Sequence, residues 1–341
     1  MTNEKTLEAT ASAMLADGKG ILATDETAGT CTKRFLECGI DSTEDSRRAY
    51  REMLYTTPGI REYISAVILC DETIRQSAAD GRRFVDVLNS AGIIPGVKVD
   101  MGAKPLAKAQ EETVTEGLDG LRERLNEYRE MGARFTKWRA VINIDPEIPS
   151  RYCIETNAHA LGRYAALAQE AGLVPIVEPE VISNGDHDID RCQEVTEHVL
   201  HSVFEQLAMQ RCFLEGIILK PNMITPGREC LAQVDAGEIA ERTLKTLRGC
   251  VPAAVPGIAF LSGGQSGEEA CERLGAMASD GPLPWQLTFS FGRALQRPAL
   301  QIWGGDPANV AAAQSAVLHR ARMSSMGRMG RYSPNMEQAS V

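Results

Sequence analysis

The stretch Val174-Pro175-Ile176-Val177-Glu178-Pro179-Glu180-Val181, with its counterpart Gly216-Ile217-Ile218-Leu219-Lys220-Pro221 further along, decides the fold. Both runs are dense in Val, Ile and Leu instead of alternating with polar residues. That density suits strands buried on both faces of a parallel sheet. Similar runs occur at Ile21–Asp25, Ala66–Asp71, Ile94–Asp100, Phe135–Ile144, Gly257–Gly263 and Gln286–Phe291. The intervals carry helical patterns, including Thr113–Met131, Asn157–Glu170, Gln193–Met209 and Gly267–Ser279. Eight strand–helix units predict an α/β fold, one closed (β/α)8 TIM barrel spanning 1–341 as a single domain. An open doubly wound sheet is the alternative, but no GxGxxG follows the first run.

Composition bounds the function. Across 341 residues, 43% are hydrophobic and 24% charged, which fits a folded globular chain. A formal net charge of −10 argues against nucleic acid or an anionic membrane as partner. No apolar run approaches the roughly 18–20 residues that span a bilayer, so the expected location is the cytoplasm. Nine cysteines without a CxxC pair read as small buried hydrophobes, which fits a reducing compartment.

In a TIM barrel the chemistry gathers at the C-terminal ends of the strands. The ends here carry Asp25-Glu26, Lys98-Val99-Asp100, Lys137-Trp138-Arg139, Glu178-Pro179-Glu180 and Lys220-Pro221-Asn222. The last two runs close with Ser262-Gly263-Gly264 and Ser290-Phe291-Gly292-Arg293. Ionisable groups ending apolar strands are costly unless paired or used. Lys220 is the candidate nucleophile. A lysine with a pKa of about 10.4 must shed its proton to attack, and desolvation or a second cation favours that. Lys137 and Arg139 can supply the cation. Glu178 and Glu180, two apart on a strand, face the same side, and one can shuttle protons; a salt bridge to Lys137 or Arg139 is the simpler role for the pair. The glycines of Ser262-Gly263-Gly264 offer backbone N–H groups to an anion, and Ser290, Gly292 and Arg293 add a hydroxyl and a guanidinium. Lys33-Arg34 with Lys98 forms a second cationic group, so a substrate phosphorylated at both ends is expected.

These strings resemble the class I (Schiff-base) fructose-bisphosphate aldolases over nearly the whole chain. The similar strings are Gly18 to Glu26, Lys98-Val99-Asp100, Lys137-Trp138-Arg139, Val174 to Glu180, Leu214 to Met223, Phe260 to Ser266 and Phe291 to Gln296. The resemblance implies metal-independent, cofactor-free retro-aldol cleavage of fructose 1,6-bisphosphate to dihydroxyacetone phosphate and glyceraldehyde 3-phosphate, in glycolysis and gluconeogenesis. It implies Lys220 as the imine-forming lysine, Glu178 as the proton carrier beside it, and Lys137 as the supporting cation. Asp25 matches the base for the C4 hydroxyl. Ser262, Gly263, Gly264, Ser290, Gly292 and Arg293 match one phosphate site. Thr30, Arg34, Lys98 and Arg139 match contacts to the rest of the sugar and its second phosphate, and a homotetramer is implied. Thr27 and Thr30 stand where the family usually has serines. Animal and plant members close on a tyrosine that reaches the active site. Here Tyr332 does not occupy that position, and the sequence predicts a packing or surface role for it.

Several weaker patterns carry bland expectations. His198 and His201 read as surface residues, and Gly185–Asp190 as a loop and capped helix start rather than a calcium site. The segment 320–341, with Arg320, Arg322, Arg328 and Arg331, reads as a short mobile tail. A sugar-phosphate isomerase would need a base but no imine, and a transaldolase-like enzyme would keep the lysine and change the products.

Overall fold

The computed structural model describes residues 3–338. Eight strands close into one barrel: β1 (Gly20–Ala23), β2 (Ile64–Leu69), β3 (Ile94–Lys98), β4 (Phe135–Ile142), β5 (Val174–Val181), β6 (Ile218–Leu219), β7 (Gly257–Phe260) and β8 (Gln286–Phe291). Each pairs in parallel with its neighbours in sequence, and β8 pairs back onto β1. Every residue of β2 and β5 is buried, as strands between a packed interior and a helical jacket must be.

The barrel interior is filled from below. Ile21, Ala23, Ala66, Ile68, Phe135, Val174, Ile176, Ile218 and Ala259 pack with Leu7, Ala11, Met14 and Leu15, at or just after the first helix, Asn3–Met14. Small residues make room for the aromatic ones. A Cβ on Gly20 would lie 2.4 Å from the Phe289 ring, and one on Gly96 would lie 2.4 Å from Phe135. With the N-terminal end plugged, the opposite end is left for the polar strand termini.

Three sequence expectations change. Thr113–Met131 is not one helix. Thr113–Thr115 pairs antiparallel with Ala103–Pro105, and the helix begins at Leu121. Gly117 and Gly120 hold left-handed backbone between the two, and the threonines favour the extended form. The sixth run shrinks to Ile218–Leu219, because Leu214–Gly216 forms a 3-10 turn. The segment from 320 begins inside the last helix, Val310–Arg328. Arg328 is buried there and donates to the Leu15 and Ala16 carbonyls at 2.6 Å each. Arg320 pairs with Glu337 at 2.6 Å and Glu268 at 3.3 Å. Leu15, Ala16 and Glu268 lie far away in sequence, so the arginines looked unpartnered when read in a row.

Candidate active site

A cleft of about 830 Å³ opens at the C-terminal ends of the strands. It is lined by Asp25, Thr30, Arg34, Lys98, Lys137, Arg139, Glu178, Glu180, Lys220, Ser262, Gly263, Ser290, Gly292 and Arg293. Gly264 lies beside it, in a smaller pocket of about 200 Å³ that shares Arg293. Lys33 does not line the cleft; its neighbour Arg34 does, from the helix Ala28–Leu36 that Thr27 caps.

The barrel's stagger assembles the centre. Lys137 is only the third residue of β4, yet it pairs in register with Lys98, the last residue of β3, and so reaches the mouth. Its Nζ lies 2.7 Å from Asp25 and 2.7 Å from Glu178. Glu178 reaches on to Lys220 at 3.0 Å. Asp25, Lys137, Glu178 and Lys220 thus form one chain of alternating acidic and basic side chains, all but Asp25 buried. The sequence left open whether the Glu178–Glu180 pair merely forms salt bridges; it does form them, with Glu180 pairing to Arg139.

The two lysines differ in their contacts. Burial on its own would lower the Lys137 pKa, but Asp25, Glu178 and Asp100 outweigh it and hold the pKa above the ordinary lysine value. Lys137 is committed to its positive charge. Lys220 touches one carboxylate, where Lys137 touches two. Burial would raise the Asp25 carboxyl, yet Lys137, Lys220 and Lys98 hold it well below the usual carboxylate range. Glu178 is likewise pushed up by burial and, more strongly, down by Lys137, Lys220 and Arg139. Both carboxylates are therefore ionised and able to accept a proton.

The ends of β7 and β8 add an array of donors to the cleft. The Ser290 hydroxyl is buried and, among the described residues, has no hydrogen-bond partner. Among the described residues, the Gly263 and Gly264 N–H groups have no acceptor, and Arg293 has no carboxylate. Partial desolvation within the cleft, together with Arg34 and Arg228, lowers the Arg293 pKa, although the residue as a whole stays exposed. Unpaired donors held against like charges fit an anion. Arg34 and Lys98 are different, since Glu26 and Asp100 already pair with them.

A family profile described as fructose-bisphosphate aldolase class-I matches residues 6–341. The chain belongs to that family. It is 55% identical over 327 residues to a probable class 1 fructose-bisphosphate aldolase of Xanthomonas campestris pv. campestris, covering 96% of this chain and 98% of that protein. The cytosolic fructose-bisphosphate aldolase 4 of Arabidopsis thaliana is 51% identical, over 92% of this chain and 80% of its own length. The fold matches the Plasmodium falciparum aldolase, solved in complex with TRAP and a small-molecule inhibitor. The TM-score is 0.96 at 44% identity, covering 97% of this chain and 96% of that one.

Around the aldolase centre stand contacts that the strand ends did not reveal. Glu26 lines the cleft and is buried. It pairs with Arg34, with the buried Arg51 at 3.0 Å, and with Gln296 at 2.8 Å. Gln296 also donates to the Ala23 carbonyl at 2.6 Å and accepts from the Tyr50 hydroxyl at 3.1 Å. This network fixes the loop that carries Asp25. Arg51 lies in the helix Glu44–Tyr55, where only its position on an otherwise apolar buried face gave a signal. Tyr332 points elsewhere, donating to Glu337 at 2.9 Å. Asp188 caps the helix Ile189–Met209, as its loop predicted. His201 lies 3.9 Å from the Cys250 sulfur. Among the described residues no group of His, Cys, Asp and Glu is placed to hold a metal.

Proposed function

We infer that this class I aldolase cleaves fructose 1,6-bisphosphate reversibly through an imine on Lys220. One observation carries the reading: a single chain of contacts joins Asp25, Lys137, Glu178 and Lys220 in the same cleft that the donors of Ser290, Gly263 and Arg293 line. Lys220 attacks the ketose carbonyl at C2, and Glu178, 3.0 Å away, passes the proton that lets water leave. Lys137 keeps Glu178 and Asp25 ionised and in place. Asp25 takes the C4 hydroxyl proton as C3–C4 breaks, and the electron pair runs into the protonated imine. Ser262, Gly263, Gly264, Ser290, Gly292 and Arg293 hold the C1 phosphate. Thr30, Arg34, Lys98 and Arg139 serve the far end of the sugar, and Glu180 orients Arg139.

The working assembly is proposed as a homotetramer in the cytoplasm. A cytosolic plant relative supports the location, and no described helix is long and apolar enough to cross a membrane. Borohydride reduction during turnover of fructose 1,6-bisphosphate should link substrate to Lys220, and Lys220→Ala should abolish both linkage and triose release with circular dichroism unchanged. Residual turnover in that variant would move the nucleophile elsewhere, with Lys137 the first suspect.

A further inference from the structure

The turn that ends the seventh strand unit is held from outside the cleft. The Gln265 N–H donates to the Ser262 carbonyl at 2.8 Å, and Gly263 and Gly264 both have positive φ, 51° and 83°. Those are the signs of a type I′ turn. Its central peptide joins Gly263 to Gly264. In a trans peptide the carbonyl and the following N–H point opposite ways. A group that fixes the Gly263 oxygen therefore aims the Gly264 N–H in the other direction.

Two side chains fix that oxygen. The Ser183 hydroxyl, from the loop after β5, donates to it at 2.8 Å. Arg228, from the loop after β6, donates to it at 3.4 Å. Neither residue lines the cleft, whereas Gly263 does. The two loops are themselves knitted together. The Arg228 N–H donates to the Ser183 carbonyl at 2.9 Å, the Gly227 N–H to His187 at 2.8 Å, and the Glu229 N–H to Gly185 at 2.9 Å. Arg228 has no ion-pair partner among the described residues, so its guanidinium is held by the turn alone. It packs directly against Gly264, in the space that a Cβ there would need.

We propose that Ser183 and Arg228 are positioning residues for substrate phosphate: by clamping the Gly263 carbonyl from behind, they hold the Gly264 N–H toward the phosphate monoester at C1. The proposal rests on the reading of this loop as the C1-phosphate site. Without the clamp the central peptide is free to flip, and the turn loses a donor to the anion. Arg228 also adds positive potential behind the loop, beside Arg293.

The test combines Ser183→Ala, Arg228→Met and the conservative Ser183→Thr. Each of the first two should raise KM for fructose 1,6-bisphosphate roughly three- to tenfold, the worth of one hydrogen bond. Turnover at saturation should stay within about twofold, because the reacting atoms are untouched. Inorganic phosphate, titrated calorimetrically without turnover, should bind weaker by the same factor. Ser183→Thr, which keeps the hydroxyl, should return both values to wild type. The double variant should lose less than the product of the single losses, since both groups act on one carbonyl. Unchanged phosphate affinity in both single variants overturns the clamp, as does a fall in kcat at constant KM. Wild-type protein that binds phosphate but does not cleave the sugar would sink the aldolase reading and leave the clamp to the calorimetry.

Discussion

Replacing Lys137 with methionine removes one charge from the centre of the active-site chain while nearly keeping its volume. The lysine sits 2.7 Å from each of two carboxylates. At an effective dielectric of about 20, each contact amounts to roughly 6 kcal/mol of Coulomb energy before the cost of stripping water from the ions. Desolvation removes much of that, and breaking a buried pair from one side typically costs about 3–5 kcal/mol. We expect that loss near pH 8, measured by urea unfolding, together with loss of turnover.

The dependence on pH carries the diagnosis. In the wild type the folded pKa values of Asp25 and Glu178 are depressed. Their contribution is complete above the unfolded values of about 4 and is lost only as pH falls through the lower, folded ones. These two groups therefore leave wild-type stability flat between about pH 5 and 8. In Lys137→Met, burial acts on Asp25 with its nearest cation gone, and its carboxyl pKa rises above the unfolded value. The variant then gains stability as pH falls from 8 toward 5, and the deficit narrows. An equal deficit at pH 5 and 8, or one below about 1 kcal/mol, would refute the argument that Lys137 neutralises a buried carboxylate pair.

Three further outcomes are expected. Arg293→Ala, which removes a charge-assisted contact worth about 1.5–3 kcal/mol, should raise KM at least tenfold for fructose 1,6-bisphosphate and for fructose 1-phosphate alike; normal binding of both would disprove the phosphate-site assignment. Asp25→Asn should still form the borohydride-trappable adduct but release almost no triose, while Glu178→Gln should slow adduct formation itself; the reverse pattern would exchange the two roles. Excess EDTA should leave turnover unchanged, because the protonated imine is the electron sink, and inactivation reversed by zinc would contradict the imine mechanism.

The eight apolar runs were legible because strands buried on both faces must be apolar throughout, and their polar ends named most of the cleft before any contact was known. Lys220 and Asp25 were visible this way, and Glu178 and Lys137 stood out as charges inside otherwise apolar runs. Their order of contact was not visible. Lys137 sits near the start of its strand, and only the barrel's stagger lifts it to the level of Lys98 and between Asp25 and Glu178. The helix read over 113–131 failed because two glycines with left-handed backbone outweighed its periodicity. The last arginines looked like a charged tail because their acceptors, Leu15, Ala16 and Glu268, are far along the chain. Glu26 with Arg51, and Ser183 with Arg228, stayed hidden for the same reason. Patterns of burial repeat along a sequence and can be read from it. The partner of a charge or a carbonyl is chosen by distance in space, which only the closed barrel defines.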